Sequence, residues 1–211
     1  MKSKFASFIS FIGHPLLTLS IFAIITLFTY EEFQRAFLHS SFIVAGIFLP
    51  LAIKMYLNYK NGTYTNFDVS DKTQRQSWYG FAILVLLIVT IILFATDQPR
   101  TLRLSVLFSL TLLAISQILN YFIKSSLHVS FNIFLSLLIL PMNFMAGLLF
   151  LVFTILIAWA RLTLKRHTIK EIIAGAFIGL IIGISFLLCI GKIANGQPFN
   201  INIDYENVKL K

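Results

Sequence analysis

The chain has 211 residues, of which 58% are hydrophobic and 12% are charged, and its formal net charge is +9. Soluble domains average about 45–50% apolar and about 25% charged residues, so this composition excludes an ordinary water-soluble fold. The single cysteine excludes a disulfide framework, and the lack of long blocks of like charge excludes a nucleic-acid-binding arm. Long, continuous apolar runs are typical of membrane helices and not of the alternating strands of a membrane barrel.

The lengths of these runs predict an all-α, polytopic integral membrane bundle with about seven helices (six to seven), in a single domain over residues 1–190. The predicted helices cover residues 8–30, 37–57, 78–96, 101–122, 129–140, 143–160 and 171–190. The first run ends at Glu31 without a small-residue cleavage site, which indicates one retained helix rather than a removed signal peptide. The fifth run is short, so a half-membrane hairpin is an alternative there.

Two further features of the sequence bear on packing and boundaries. The longest polar loop covers residues 58–77, and residues 191–211 form a short polar tail. Gly175, Gly179 and Gly183 place a small residue at every fourth position of the last predicted helix. This spacing predicts a close approach by the backbone of another helix.

Counting the crossings places four polar segments on one face of the membrane: the N-terminus, the 58–77 loop, residues 124–128 and residues 161–170. Basic residues outnumber acidic residues on this face. The positive-inside rule therefore predicts that the face is cytoplasmic, and we expect the chain to lie in the inner (plasma) membrane of a bacterium.

Two groups of ionisable residues interrupt the apolar runs on the same face, and such groups are costly at membrane depth. Lys124 and His128 are four residues apart, as are His167 and Glu171. In a helical turn, the Glu171 carboxylate can accept a hydrogen bond from one imidazole nitrogen of His167 and leave the other free as a base or nucleophile. With Arg161 nearby in sequence, these residues predict a phosphate-handling site, for which the 124–128 and 161–171 segments must converge.

Two other interpretations of these residues use the same chemistry differently. A metal site built from His128, His167 and Glu171 is one alternative, because two histidines and a carboxylate can hold zinc or iron. No spacing typical of a metal motif is present, so the sequence predicts neither a metal nor a cofactor. The other interpretation is a structural membrane protein, in which the two segments would lie far apart.

The second group resembles a motif of the type 2 phosphatidic acid phosphatase superfamily, the membrane relatives of the vanadium haloperoxidases and bacterial acid phosphatases. That family's last motif is Ser-Arg, five residues, His, three residues and Asp. The chain has Arg161, His167 and Glu171 at this spacing, with Glu in place of Asp. The resemblance covers about residues 100–190.

The family's other two motifs are matched less closely. Its middle motif, Pro-Ser-Gly-His, is similar to the segment that contains Ser126 and His128, where Leu127 replaces the glycine. Its first motif, a Lys followed after six residues by Arg-Pro, has no counterpart directly before the middle motif. Lys72 and Arg75 in the long loop are candidates to supply those cations.

The resemblance implies a membrane phosphatase that hydrolyses a phosphate monoester or diphosphate on a lipid or isoprenoid. His167 would attack the phosphorus to form a phosphohistidine, Glu171 would orient it, and His128 would protonate the leaving alkoxide. The phosphoryl oxygens would be held by Arg161, Lys124 and Ser126, with Lys72 and Arg75 as additional candidates. The implied partners are the phosphorylated substrate and membrane lipids. The alternative is a non-catalytic protein that binds or transports an anionic lipid headgroup with the same cations.

Overall fold

The computed structural model describes residues 2–69, 71–96, 98 and 100–190. Every regular element in these ranges is a helix, which confirms the prediction of an all-α fold. The helices are α1 (Lys2–Ile12), α2 (Pro15–Tyr30), α3 (Phe33–Ile43), a π-helical turn (Val44–Phe48), α4 (Leu49–Lys60), α5 (Lys72–Ala95), α6 (Arg100–Asn120), α7 (Leu127–Ile139), α8 (Phe144–Thr163) and α9 (Ile169–Cys189). The predicted polar tail, residues 191–211, lies outside the described residues.

Five helical segments of the described chain are long and apolar enough to cross a membrane. They are Phe33–Lys60, Lys72–Ala95, Arg100–Asn120, Phe144–Thr163 and Ile169–Cys189. The pair α1 and α2 makes a sixth if it counts as one broken span. The predicted count of about seven is not confirmed, because α7 has 13 residues and is shorter than a bilayer requires.

The predicted single helix over residues 8–30 is wrong, because the chain breaks between α1 and α2 and bends by 45°. Pro15 is the first residue of α2, and it has no N–H to donate to the preceding turn. His14 is extended and caps α2, since its side chain accepts a hydrogen bond from the Leu16 N–H. The break therefore places His14 at a bend within a segment whose sequence is almost continuously apolar.

The long loop is also shorter than predicted, because α5 begins at Lys72 and not at residue 78. The Asp71 carboxylate caps this helix and accepts hydrogen bonds from the N–H groups of Thr73 (2.9 Å) and Gln74 (3.0 Å). The cap satisfies two N–H groups that have no partner within the helix. As a result, Arg75 lies in the first turns of α5 instead of in a loop.

Helix α7 is the most enclosed helix of the bundle, and α8 and α9 pack against it. The predicted close approach at the glycines of α9 is confirmed. A Cβ atom added to Gly175 would lie 2.6 Å from the Ser126 carbonyl oxygen, and one added to Gly179 would lie 2.5 Å from that of Ser130. The start of α7 is therefore held against the start of α9 by direct backbone packing.

This packing predicts a graded response to alanine substitution. Gly175→Ala and Gly179→Ala should each lower the free energy of unfolding by about 1–3 kcal/mol, because their new methyl groups meet backbone atoms. Gly183→Ala should cost less, since its methyl group meets the flexible Leu137 side chain. Thermal unfolding of the three variants in detergent measures the order of these losses in stability.

Gly80 on α5 is the matched control, because nothing lies within 4 Å of a Cβ atom added there. Gly80→Ala should be neutral or slightly stabilising, as alanine is the better helix former. Equal losses at Gly80 and Gly179 would show that helix propensity, and not the contact with α7, decides the effect.

Candidate functional site

The predicted histidine–carboxylate pair forms at the start of α9. His167 Nδ1 lies 2.9 Å from Glu171 Oε2, and the same oxygen accepts a hydrogen bond from the Thr168 N–H at 3.1 Å. Thr168 and Glu171 form a capping box at this helix end. Since a carboxylate only accepts, Nδ1 of His167 carries the proton, and the lone pair of a neutral ring is on Nε2.

The segment before α7 docks on this pair, so the two predicted clusters come together. The Ser126 N–H donates to the Glu171 carbonyl oxygen at 3.1 Å. Lys124 Nζ donates to the Arg166 carbonyl oxygen at 3.0 Å and lies 3.7 Å from Glu171 Oε2. This convergence argues against a structural protein with two distant segments.

Arg161, in the last turn of α8, is buried with 1% of its surface exposed. One of its terminal nitrogens, Nη1, pairs with the Asp68 carboxylate and donates to Ser10 Oγ at 2.8 Å. Its Nε has no hydrogen-bond partner within the described chain. Asp68 comes from the loop before α5 and Ser10 from α1, and neither was predicted as a site residue.

The two additional cations predicted from the long loop have different surroundings. Arg75 is buried, and its Nη2 donates to Tyr79 Oη at 2.6 Å and to the Ser125 carbonyl oxygen at 2.9 Å. Its Nη1 is buried without a hydrogen-bond partner in the described residues. Lys72 is exposed, and its Nζ donates to the Tyr121 carbonyl oxygen at 3.0 Å. The structure therefore brings Arg75, and not Lys72, to the interior.

His14 and His128 line the same cavity as Arg161, Arg75 and His167, and these buried polar side chains are called the polar centre below. Their rings meet edge to face, with centroids 5.0 Å apart. His128 Nε2 is buried without a hydrogen-bond partner among the described residues, and so is Ser126 Oγ. Asn132 of α7 ties the two histidine segments together, because its Nδ2 donates to the carbonyl oxygens of Gly13 (2.9 Å) and His128 (2.6 Å).

An apolar cavity of about 190 Å³ extends from this polar centre into the bundle. Its polar end is lined by His14, Asp68, Arg75, His128, Arg161 and His167. Along α7 the lining runs from His128 to Leu138, which corresponds to about 15 Å at 1.5 Å per residue. That depth is about half of the ~30 Å hydrocarbon core of a bilayer.

A second, more open depression lies outside the first cavity. It is lined by Ser7, Ser10, Phe11, His14, Tyr56, Tyr59, Phe67, Asp68, Leu164 and Arg166. His14 and Asp68 line both spaces, so these two residues border the inner cavity and the outer depression.

The structure also groups three metal-capable side chains, although not the predicted set of His128, His167 and Glu171. Potential ligand atoms of His14, Asp68 and His128 lie within 4.8 Å of one another. His14 Nδ1 already accepts from the Leu16 N–H at 3.2 Å, which leaves the proton of a neutral ring on Nε2 and no second lone pair. The Asp68 carboxylate is paired with Arg161. These bonds and the nearby guanidinium groups suit an anion better than a cation.

No significant match to this chain was found among protein-family models, curated proteins or solved structures. The class of this protein is therefore described from its fold and its candidate site alone. The regular elements of the described residues are all helical, and five to six of the helical segments are candidate membrane spans. The chain has a buried cationic centre at one end of an apolar cavity.

His14, Asp68 and Ser10 are the site residues that sequence reasoning missed. Gly13 and Pro15 on either side of His14 are a signal for a break in the first helix, because proline cannot donate to the preceding turn. Asp68 and Ser10 carry no such signal. Each contacts Arg161 only through the tertiary fold, across 93 and 151 residues of chain, respectively.

The electrostatics of the centre predict a pH dependence of stability. Burial, followed by the positive charges of Arg161 and Arg75, lowers the pKa of His167 from 6.5 to about 2. As the pH falls below about 6.5, the unfolded chain takes up a proton that the folded chain does not, so folding is disfavoured by about 1.4 kcal/mol per pH unit.

His167→Asn tests this, because its amide can still donate to Glu171 but has no proton to gain. The melting temperature of the wild type, measured relative to this variant, should fall as the buffer is changed from about pH 7 to about pH 5. A difference that does not change with pH would show that His167 titrates alike in both states.

Proposed function

We propose that this chain is a membrane phosphatase that hydrolyses a phosphate monoester or diphosphate on a lipid or isoprenoid through a phosphohistidine. One observation carries the proposal: the His167–Glu171 pair lies beside the buried Arg161 guanidinium and the unpartnered His128 Nε2, at the polar end of an apolar cavity. The resemblance to the type 2 phosphatidic acid phosphatases supports the same reaction.

The nucleophile is His167 Nε2. Glu171 fixes the tautomer, and the lowered pKa keeps the ring neutral near pH 7, so the lone pair is available. Attack on phosphorus forms the N–P bond and breaks the bond from phosphorus to the lipid oxygen. The Glu171 carboxylate stabilises the positive charge that develops on the ring.

The oxyanion is held by buried donors that lack partners. Arg161 Nε, Arg75 Nη1 and Ser126 Oγ are all buried without a hydrogen-bond acceptor in the described residues. An unsatisfied buried donor costs about 1–3 kcal/mol, and more if charged, so three together favour a bound anion. Guanidinium groups are also suited to the equatorial oxygens of a phosphoryl transition state.

His128 carries the proton in both steps. The negative charge of a bound phosphate stabilises a protonated His128 ring, which then donates from Nε2 to the departing alkoxide, and this leaves as the lipid alcohol. The neutral ring then takes a proton from the water that attacks the phosphohistidine, and inorganic phosphate is released. The N–P bond breaks, and both histidines return to their starting states.

The cavity accommodates the apolar part of the substrate. Its walls come from α2, α4, α5, α6 and α7, and they are predominantly apolar beyond the histidines. A phosphate at the polar end would extend its chain about 15 Å along α7. This shape favours a long-chain phosphate over a water-soluble sugar phosphate.

Asp68 favours the second candidate function, a non-catalytic protein that binds or transports an anionic headgroup. Its carboxylate already occupies Arg161, and a phosphate placed there would be repelled. In the phosphatase, the loop that carries Asp68 must move this carboxylate aside when substrate binds. Phosphate release distinguishes the two functions.

The helices cross the membrane seven times in the arrangement that we propose. The pair α1 and α2 makes one broken crossing. Although α7 is shorter than a full span, it leads the chain away from the polar centre so that α8 can return to it, which gives seven passes. We place the polar centre on the cytoplasmic face of a bacterial inner membrane, in line with the basic residues of that end.

His167→Ala should abolish phosphate release from lipid and isoprenoid phosphates, because no other nucleophile replaces the imidazole. His128→Ala should slow phosphoenzyme formation by about 10²–10⁴, and an aryl leaving group should partly restore it. Quench-flow trapping of labelled phosphoenzyme measures both effects. His39→Ala is the control, since His39 pairs with Glu31 away from the cavity.

Vanadate should inhibit the wild type, and chelators should not. Wild-type turnover by His167→Ala would exclude the phosphohistidine. Loss of activity in chelator that zinc restores would instead assign the reaction to a metal at His14, Asp68 and His128. A wild type that binds lipid phosphates without releasing phosphate would favour the headgroup-binding function.

Asp68→Asn should tighten the binding of vanadate by about tenfold or more, because it removes a like charge from the anion position while keeping the side chain's size. The same change should lower the melting temperature without ligand, since Arg161 loses its counter-charge. Isothermal titration calorimetry on the purified chain measures the affinity.

Asp71→Asn is the matched control in the same loop, because asparagine also caps helices. It should leave vanadate affinity unchanged. If Asp68→Asn weakened the binding of vanadate, Asp68 would be part of the anion site and not its competitor.

A further inference from the structure

His14 is held in a defined position by the break between α1 and α2. Its Nδ1 accepts from the Leu16 N–H at 3.2 Å, and its carbonyl oxygen accepts from the N–H groups of Leu17 (2.9 Å) and Thr18 (3.0 Å). The preceding carbonyl, that of Gly13, accepts from Asn132 at 2.9 Å. The ring is therefore fixed both by its own helix and by α7.

These contacts also fix the proton on the ring. Because Nδ1 accepts a hydrogen bond, the proton of neutral His14 is on Nε2. The ring lines the inner cavity and lies edge to face against His128, 5.0 Å away between centroids. His14 thus presents a neutral N–H donor to the polar centre.

We infer that His14 is a phosphoryl-binding residue whose Nε2–H donates to a phosphoryl oxygen between His128 and Arg161. This inference rests on the proposed function. The Asp68 carboxylate lies near His14, with potential ligand atoms of Asp68, His14 and His128 within 4.8 Å of one another. When the phosphoryl group replaces this carboxylate, one of its oxygens becomes the acceptor for the His14 Nε2–H.

A role as a helix cap alone does not account for this residue. Asparagine, aspartate and serine are the side chains that cap helices best, and none requires a buried imidazole against a second histidine. His14 is 9% exposed and lines both the inner cavity and the outer depression. A phosphoryl group bound there would border both the inner cavity and the outer depression.

Two substitutions test the roles of the two ring nitrogens of His14 separately. His14→Asn keeps an acceptor near the position of Nδ1, so it retains the cap and loses the donor. His14→Gln places an amide N–H₂ near the position of Nε2, so it retains the donor and loses the cap. His39→Asn, at a histidine outside the cavity, is the control.

The test measures melting temperature and vanadate affinity on the full-length chain in detergent. His14→Asn should keep the wild-type melting temperature and weaken vanadate about 10–100-fold, the effect of one hydrogen bond to a charged group. His14→Gln should melt at a lower temperature and bind vanadate nearly as the wild type does. His39→Asn should leave vanadate affinity unchanged.

Wild-type affinity in His14→Asn overturns the inference and leaves the proposed function in place. The inference also fails if affinity follows melting temperature in all variants, because His14 would then act only through the fold. A wild type that neither binds vanadate nor releases phosphate overturns the proposed function, and this inference with it.

Discussion

The centre of this molecule depends on one buried charge, the Arg161 guanidinium. A charged group out of water is unstable unless it is paired and hydrogen-bonded, and Arg161 is 1% exposed. Its partners are Asp68 and Ser10, which belong to two segments that lie far apart in the sequence. The guanidinium therefore ties the loop before α5 and helix α1 to the end of α8.

Close packing of α7 on α9 supplies the second constraint. With glycines at positions 175 and 179, the backbone of α7 approaches to a distance at which any side chain would collide. This approach lets the Ser126 N–H reach the Glu171 carbonyl oxygen. The histidines at the starts of α7 and α9 then line the same cavity, and neither helix alone could form the site.

Asp68 links the two candidate functions. As a carboxylate paired with a buried arginine, it stabilises the guanidinium, and a phosphate at the proposed site would have to displace it. In a phosphatase this competition excludes weak anions and is overcome by a substrate whose chain is also bound in the cavity. In a binding protein, the headgroup would replace the carboxylate at Arg161 and later leave, and no chemical step would follow.

The sequence by itself determined the features that depend on short spacing or on composition. Run lengths predicted the all-helical membrane class, the spacing of His167 and Glu171 predicted their hydrogen bond, and the glycines of α9 predicted the close approach. His167 lies directly before the Thr168 N-cap of α9, outside the helical turn that the spacing assumed, but its contact with Glu171 is still local to this helix start and needs no distant part of the chain.

Only the tertiary structure decided which distant side chains meet. Hydrophobic run length did not reveal the break at His14, and it placed the start of α5 too late because it ignored the Asp71 cap. The Asp68 and Ser10 contacts join residues 93 and 151 positions from Arg161. They form because the folded bundle gathers the polar ends of several helices at one place, and a buried guanidinium must find its partners among whatever groups lie there.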